Sequence, residues 1–188
     1  MGAKVQQSHT RDNQQETLAY IAGLMDSDGH ISIGRLKQAS DDYRYRYQIY
    51  FSNTDAGLIN AYTGFLKTNG LTFYIRRRPK NNQNYMTQYE VSINNMGGAK
   101  KFLEMVSPYL RGIKKEYSKI VLDFLNKRIN RKRRFRRKRN DKGQFTVGYS
   151  PPYLKDELAL YKRYRELRAP QRLHAMPPPR GLHERVKI

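Results

Sequence analysis

The chain contains no cysteine among its 188 residues. That absence excludes disulfides and cysteine-ligated zinc. No run of apolar residues approaches the length of a membrane span. The first sixteen residues, "MGAKVQQSHTRDNQQE", lack the apolar segment of a signal peptide. Gln6 stands where a myristoylation signal needs Ser or Thr. Acidic residues are scarce, with 16 Asp+Glu against 37 Lys+Arg and a formal net charge of +21. Such an excess speaks of partners rather than fold, and the commonest acidic partner is nucleic acid. An anionic membrane surface is the rival, but it accounts for none of the patterning below. The expectation is a soluble intracellular protein without a membrane partner, in a prokaryotic cytoplasm or in a eukaryotic organelle or nucleus.

What is present divides the chain unevenly. Residues 1–100 carry a net charge of +4 and residues 101–188 carry +17. Much of the excess lies in Lys127 to Arg139, "KRINRKRRFRRKR", where 10 of 13 residues are basic. The first part therefore reads as an ordinary folded unit and the basic run as a flexible arm for phosphates. Residues 1–12 are polar and expected to be disordered. Asn13 and Glu16 have the spacing of a helix cap with its reciprocal partner. The helix so started should run to about Asp28, with Gly29 as a left-handed stop.

After Gly29 the period changes to two. "HISIGRLKQ" reads as a strand, with Gly34 a candidate bulge. "YRYRYQIYFSN" puts Tyr43, Tyr45, Tyr47, Ile49 and Phe51 on one face and Arg44, Arg46, Gln48, Tyr50 and Ser52 on the other. "DAGLINAYTGFLKTNG" is a helix stopped by Gly70. "LTFYIRRRP" should turn Leu71, Phe73 and Ile75 inward, and "YMTQYEVSIN" Tyr89, Val91 and Ile93, with Met86 outward and a polar loop, "KNNQN", between them. Two more helices follow, "GGAKKFLEMVSPYL" and "KKEYSKIVLDFLNKRI". The fold class is α+β: an αββαββα core over residues 13–128, built on a curved four-stranded antiparallel sheet. Residues 129–188 form a basic, partly helical extension, with a helix starting near Ser150 and Pro151 and a tail holding "MPPP". The sheet should have one apolar face under helices and one free polar face.

That free face carries Arg44, Arg46, Gln48, Arg76, Arg78 and Gln88, with Arg35 and Lys37 as expected neighbours. Arg and Gln are the side chains that pair bidentately with guanine and adenine edges. A β-ribbon fits the major groove of a DNA duplex. Glu90 is the one acid expected there; otherwise the face would be a plain solvated surface.

The first helix has two special sides. Leu18, Ile21, Ala22 and Met25 form an apolar stripe for the protein's own sheet. Ala19, Gly23 and Ser27 are spaced i, i+4, i+8, a stripe of small residues along which a second helix can approach closely. Nothing else in the chain repeats that stripe, so the simplest partner is the same helix of a second copy. Asp28 lies where orphan carbonyls already make the helix end negative. A bound Mg²⁺ would reverse that repulsion, with carboxylate and carbonyl oxygens as hard ligands. Asp26 reads as a second ligand or a capping group, and His30 as a structural residue at the start of the strand.

"IAGLMDSDG", Ile21 to Gly29, resembles the LAGLIDADG motif of homing endonucleases, with six of nine positions identical. "FSNTD", Phe51 to Asp55, and "SPYLRGIKKEYSK", Ser107 to Lys119, resemble typical segments of that family. One copy of the motif resembles the single-motif, homodimeric branch. The resemblance implies a site-specific, metal-dependent double-strand DNA endonuclease that leaves 3′ overhangs and is encoded in an intron or intein. It implies Asp28 as metal ligand with the carbonyl of Ser27 contributing, and Asp26 as a further ligand or a shaper of the helix end. It implies Asp55 as the residue ordering metal-bound water, and Lys114 (with Lys115 as alternative) beside the scissile phosphate. Mg²⁺ is the expected cofactor, with Ca²⁺ supporting binding without cleavage. Partners would be double-stranded DNA and a second copy. Intron RNA is a further candidate, because a splicing helper on the same fold needs the basic surface but not Asp28. A non-cleaving DNA-binding regulator is the other alternative.

Overall fold

The computed structural model describes residues 3–37, 43–78, 87–134 and 153–174, with side chains for residues 13–37, 43–78, 87–130 and 155–169. The elements are helix α1 (Ala3–Ser27), strands β1 (Gly29–Lys37) and β2 (Tyr43–Asn53), helix α2 (Ala56–Thr68), strands β3 (Tyr74–Arg78) and β4 (Gln88–Ser92), and helices α3 (Met96–Val106), α4 (Gly112–Arg134) and α5 (Tyr153–His174). The four strands make one antiparallel sheet in the order β1-β2-β4-β3. The polar loop after Pro79, Met86, the connection before α5 and the tail after His174 lie outside the described residues.

Helix α1 starts well before Asn13. Residues 3–15 hold no Pro or Gly and many good helix formers, so nothing stops the helix from extending backward. Thr17 Oγ1 donates to the Asn13 carbonyl at 2.8 Å, placing Asn13 inside the helix rather than at its cap. At the other end, Gly29 is not left-handed; among the described glycines only Gly70 and Gly112 have positive φ. Gly29 serves close packing instead. A Cβ there would lie 2.6 Å from both the Cα and the carbonyl oxygen of Met25. The chain can therefore leave α1 and enter β1 without a spacer.

Helix α2 has the ends its sequence announces. Asp55 caps it, accepting from the backbone N–H of Gly57 (2.6 Å) and Leu58 (3.3 Å). Gly70 stops it at φ 64°, with Gly70 N–H bonded to Lys67 and Leu71 N–H to Leu66, the paired closure of a Schellman motif. Asn95 caps α3 through the Gly97 N–H at 2.9 Å. Helix α4 continues to Arg134, so the first part of the basic run is helical rather than a loose arm. Cations suit a helix C-terminus.

The register decides which side chains share a face. Ile31 pairs with Ile49, Ile33 with Tyr47, Arg35 with Tyr45 and Lys37 with Tyr43. Arg35 and Lys37 therefore lie on the helix-covered side, not on the free face expected for them. The count of two from Ile31 and Ile33 leads directly to them, since the ladder passes Gly34 without a bulge (Gly34 pairs with Arg46). The inner face, with Ile31, Ile33, Ile49, Phe51, Val91 and Ile93, is closed by α1, α2, α3 and α4. Ile75 faces the same way but is 45% exposed on the edge strand β3. Helix α5, beyond the αββαββα core, is docked rather than loose. Leu160 and Tyr164 are buried, and Arg128 of α4 makes a two-pronged ion pair with Glu157 at 2.7 and 2.8 Å.

Candidate functional site

The site is built where α1 ends. Its last carbonyls have no partner within the helix, and a lysine from another helix supplies one. Lys114 Nζ donates to the carbonyls of Met25 (2.8 Å), Asp26 (2.8 Å) and Ser27 (3.0 Å). Burial holds the Lys114 ammonium below its ordinary pKa, and the nearby Asp26 and Asp28 carboxylates oppose that shift. The structure thus brings Lys114 to the helix end; Lys115 makes no such contact among the described residues.

The two aspartates take different places. Asp26 Oδ2 accepts the backbone N–H of Arg111 at 2.8 Å, tying α1 to the chain entering α4. Its other oxygen, Oδ1, is buried without a hydrogen-bond partner among the described residues. Asp28 is exposed and receives one hydrogen bond, from Asn53 Nδ2 at 2.9 Å. Asn53 also accepts the Asp55 N–H through its Oδ1 at 2.8 Å. The expected role of Asp55 in ordering metal-bound water meets a competing task, because one carboxylate oxygen is engaged as the α2 cap. Asn53 is the residue that sequence reasoning missed. It ends β2 two residues beyond Phe51, the hairpin partner of Gly29, and only that register brings it to Asp28.

Asp28, the orphaned Oδ1 of Asp26 and the Ser27 carbonyl are all hard oxygens, which suits Mg²⁺ or Ca²⁺. The Ser27 carbonyl has a second lone pair beyond the one Lys114 uses. Among the described residues no group of three or more His, Cys, Asp or Glu side chains converges. One chain therefore offers only part of a coordination shell.

The polar face forms rows across the sheet. Tyr50, Ser92 and Tyr74 make one row, and Ser52, Glu90 and Arg76 the next; Gln88 stands beside Arg78, and Gln48 beside Ser32. Arg44, Arg46, Arg76 and Arg78 are exposed on this side. Glu90 is answered by an ion pair with Arg78. Gln88 reaches Ser52 at 3.5 Å and Gln48 accepts from Ser32 at 3.3 Å. Beside them, His30 stacks on Tyr50 with ring centroids 4.5 Å apart. Burial, then Arg168 and Lys114, holds the His30 imidazole below its ordinary pKa. On the outer side of α1, Ala19, Gly23 and Ser27 are exposed together.

A helix carrying small residues outward and acids at its end is thus seated on a sheet with an arginine-lined open face. Residues 15–107 match the family model of the LAGLIDADG-like domain. Solved structures share the fold. The homing endonuclease I-CvuI, in complex with the I-CreI target in the presence of Mg and with DNA not cleaved, is 21% identical at a TM-score of 0.57, covering 82% of this chain and 83% of that one. The group I intron-encoded homing endonuclease I-CeuI, complexed with DNA, is 12% identical at 0.56, covering 80% and 67%. The homing endonuclease I-TnaI is 14% identical at 0.52, covering 83% and 96%. At these identities the likeness establishes the fold. Among curated proteins none matches the chain. No helix among the described residues is long and apolar enough to cross a membrane.

Proposed function

We propose that the protein is a site-specific, divalent-metal-dependent DNA endonuclease of the homing class. It would act as a homodimer on a long, roughly palindromic duplex and leave 3′ overhangs. The single observation that carries the reading is the convergence of Asp28, Asp26 and Lys114 at the end of the helix that presents the small-residue stripe. Two such helix ends meeting at a two-fold axis would complete the shell that one chain only begins. Asp28 and the Ser27 carbonyl would hold Mg²⁺, with Asp26 Oδ1 as a further donor. When bound, the ion acidifies water and stabilises the attacking and leaving oxygens of phosphodiester hydrolysis. Asn53 orients the Asp28 carboxylate by its hydrogen bond. Lys114 fixes the helix end and places a positive charge beside both acids, where it can offset charge on a phosphate. Arg44, Arg46, Gln48, Arg76, Arg78 and Gln88 would face the major groove.

Incubation of the full chain with duplexes spanning its own intron or intein insertion site, in Mg²⁺, tests the reading. Double-strand cleavage at one position is expected. Absence of cleavage together with tight binding to the folded intron RNA would favour a splicing helper instead.

Gly23 gives an independent test of the dimer. A Cβ built there meets nothing within 4 Å, and Gly inside a helix costs about 1 kcal/mol relative to Ala. Among the described residues nothing requires glycine at this position, and a close approach of a second helix would supply the reason. Gly23→Leu is expected to shift the protein from dimer to monomer in sedimentation velocity without lowering its melting temperature. A wild-type monomer at micromolar concentration would argue against the seam.

A further inference from the structure

Helix α5 lies outside the matched domain, yet it runs beside β1, the edge strand next to the acidic site. Its residues Tyr161, Tyr164, Arg165 and Arg168 follow the i, i+3, i+4, i+7 spacing and so form one stripe. The stripe changes chemistry along its length. Tyr161 packs on Tyr45 and Tyr164 on Tyr117, which docks the helix; Arg165 and Arg168 are exposed beyond them. Between this stripe and β1 lies an open cleft of about 390 Å³. Its floor is a hydrogen-bonded chain in which His30 Nε2 lies 2.8 Å from Ser32 Oγ and Ser32 donates to Gln48 Oε1.

Among the described residues no acidic side chain lines the cleft. Neither Arg165 nor Arg168 has an ion-pair or hydrogen-bond partner among the described residues, unlike Arg128 with Glu157 and Arg78 with Glu90. Two guanidiniums thus converge on neutral donors and acceptors at a place continuous, through Gln48, with the polar face of the sheet. Guanidinium matches the geometry of a phosphate.

We infer that this cleft seats a backbone phosphate of the DNA lying on the sheet, held by Arg165 and Arg168 above His30, Ser32 and Gln48. The inference rests on the DNA-binding reading above and extends it to a helix beyond the matched domain. The contact positions the duplex and carries no base information.

The test is the salt dependence of duplex binding by the full chain, measured in Ca²⁺ on the insertion-site duplex and on an unrelated one. The Arg165→Gln/Arg168→Gln variant keeps much of the apolar stems and removes two charges. A charge-matched control, Lys162→Gln/Arg163→Gln, alters exposed residues of the same helix that do not line the cleft. The slope of log affinity against log salt is expected to become shallower by about 1 to 2 in the cleft variant, with equal weakening on both duplexes. The control should stay close to wild type. An unchanged slope in the cleft variant, or an equal loss in the control, would overturn the inference while leaving the endonuclease reading intact. Failure of the wild-type protein to bind either duplex would sink both.

Discussion

Asp28→Asn is expected to remove target cleavage in Mg²⁺ while leaving duplex binding in Ca²⁺ unimpaired. The substitution is close to isosteric, and the new amide oxygen can still accept from Asn53 Nδ2, so the local geometry survives. What is lost is one full negative charge at an exposed acid of the site. A metal's contribution to a phosphoryl transition state is several kcal/mol, which corresponds to a loss of about a thousandfold or more in rate. On the proposed reading, binding would draw instead on the arginines of the open face, and removing an anion near phosphates would not weaken it. Asn53→Ala should give a smaller fall, about tenfold to a hundredfold, because it frees the carboxylate without neutralising it. Quantified cleavage of a labelled duplex, beside binding in Ca²⁺, separates these outcomes. Equal cleavage by wild type and Asp28→Asn would refute the assignment of Asp28.

The second large effect concerns stability rather than chemistry. Arg128→Ala is expected to cost about 3–5 kcal/mol, the usual penalty for stranding one partner of a buried pair. Glu157 is 3% exposed and receives both prongs of the guanidinium, which also donates to the Tyr45 carbonyl at 2.6 Å. Removing Arg128 leaves that carboxylate and that carbonyl unsatisfied together. For a chain of this size the melting temperature should fall by about 10 °C. The double replacement Arg128→Met/Glu157→Leu should recover most of the loss, since a well-packed apolar pair avoids the desolvation penalty. Thermal unfolding of the singles and the double decides the matter. Shifts below about 2 °C in both singles would mean that α5 is not docked on α4 as described.

Much of the core was legible from period and motif alone. Leu18, Ile21, Ala22 and Met25 are all buried, as the apolar stripe of the first helix required. The alternation of β2 sorted Tyr45, Ile49 and Phe51 from Arg44, Arg46 and Gln48 without error. Arg35 and Lys37 fall on the other side from the one expected, because the ladder passes Gly34 in register with Arg46 and makes no bulge there. In the structure the Arg35 guanidinium lies over the Tyr43 ring at 4.1 Å and near Tyr161 at 5.7 Å, a cation–π arrangement that no local count reveals. The bond from Asn53 to Asp28 spans 25 residues and depends on hairpin register. The docking of α5 was equally hidden. Leu160 and Tyr164 find their partners on elements far away in sequence, and a single chain read locally carries no sign of that pairing.

The tripod of bonds from Lys114 to the end of α1 bears on how the protein can be handled. In many small metalloproteins the ion is also the keystone, and a chelator unfolds the chain. Here a covalently owned ammonium already neutralises the helix end and links α4 to α1. On the proposed reading, loss of the divalent ion would silence the protein without loosening it, so that dormancy and denaturation become separate events.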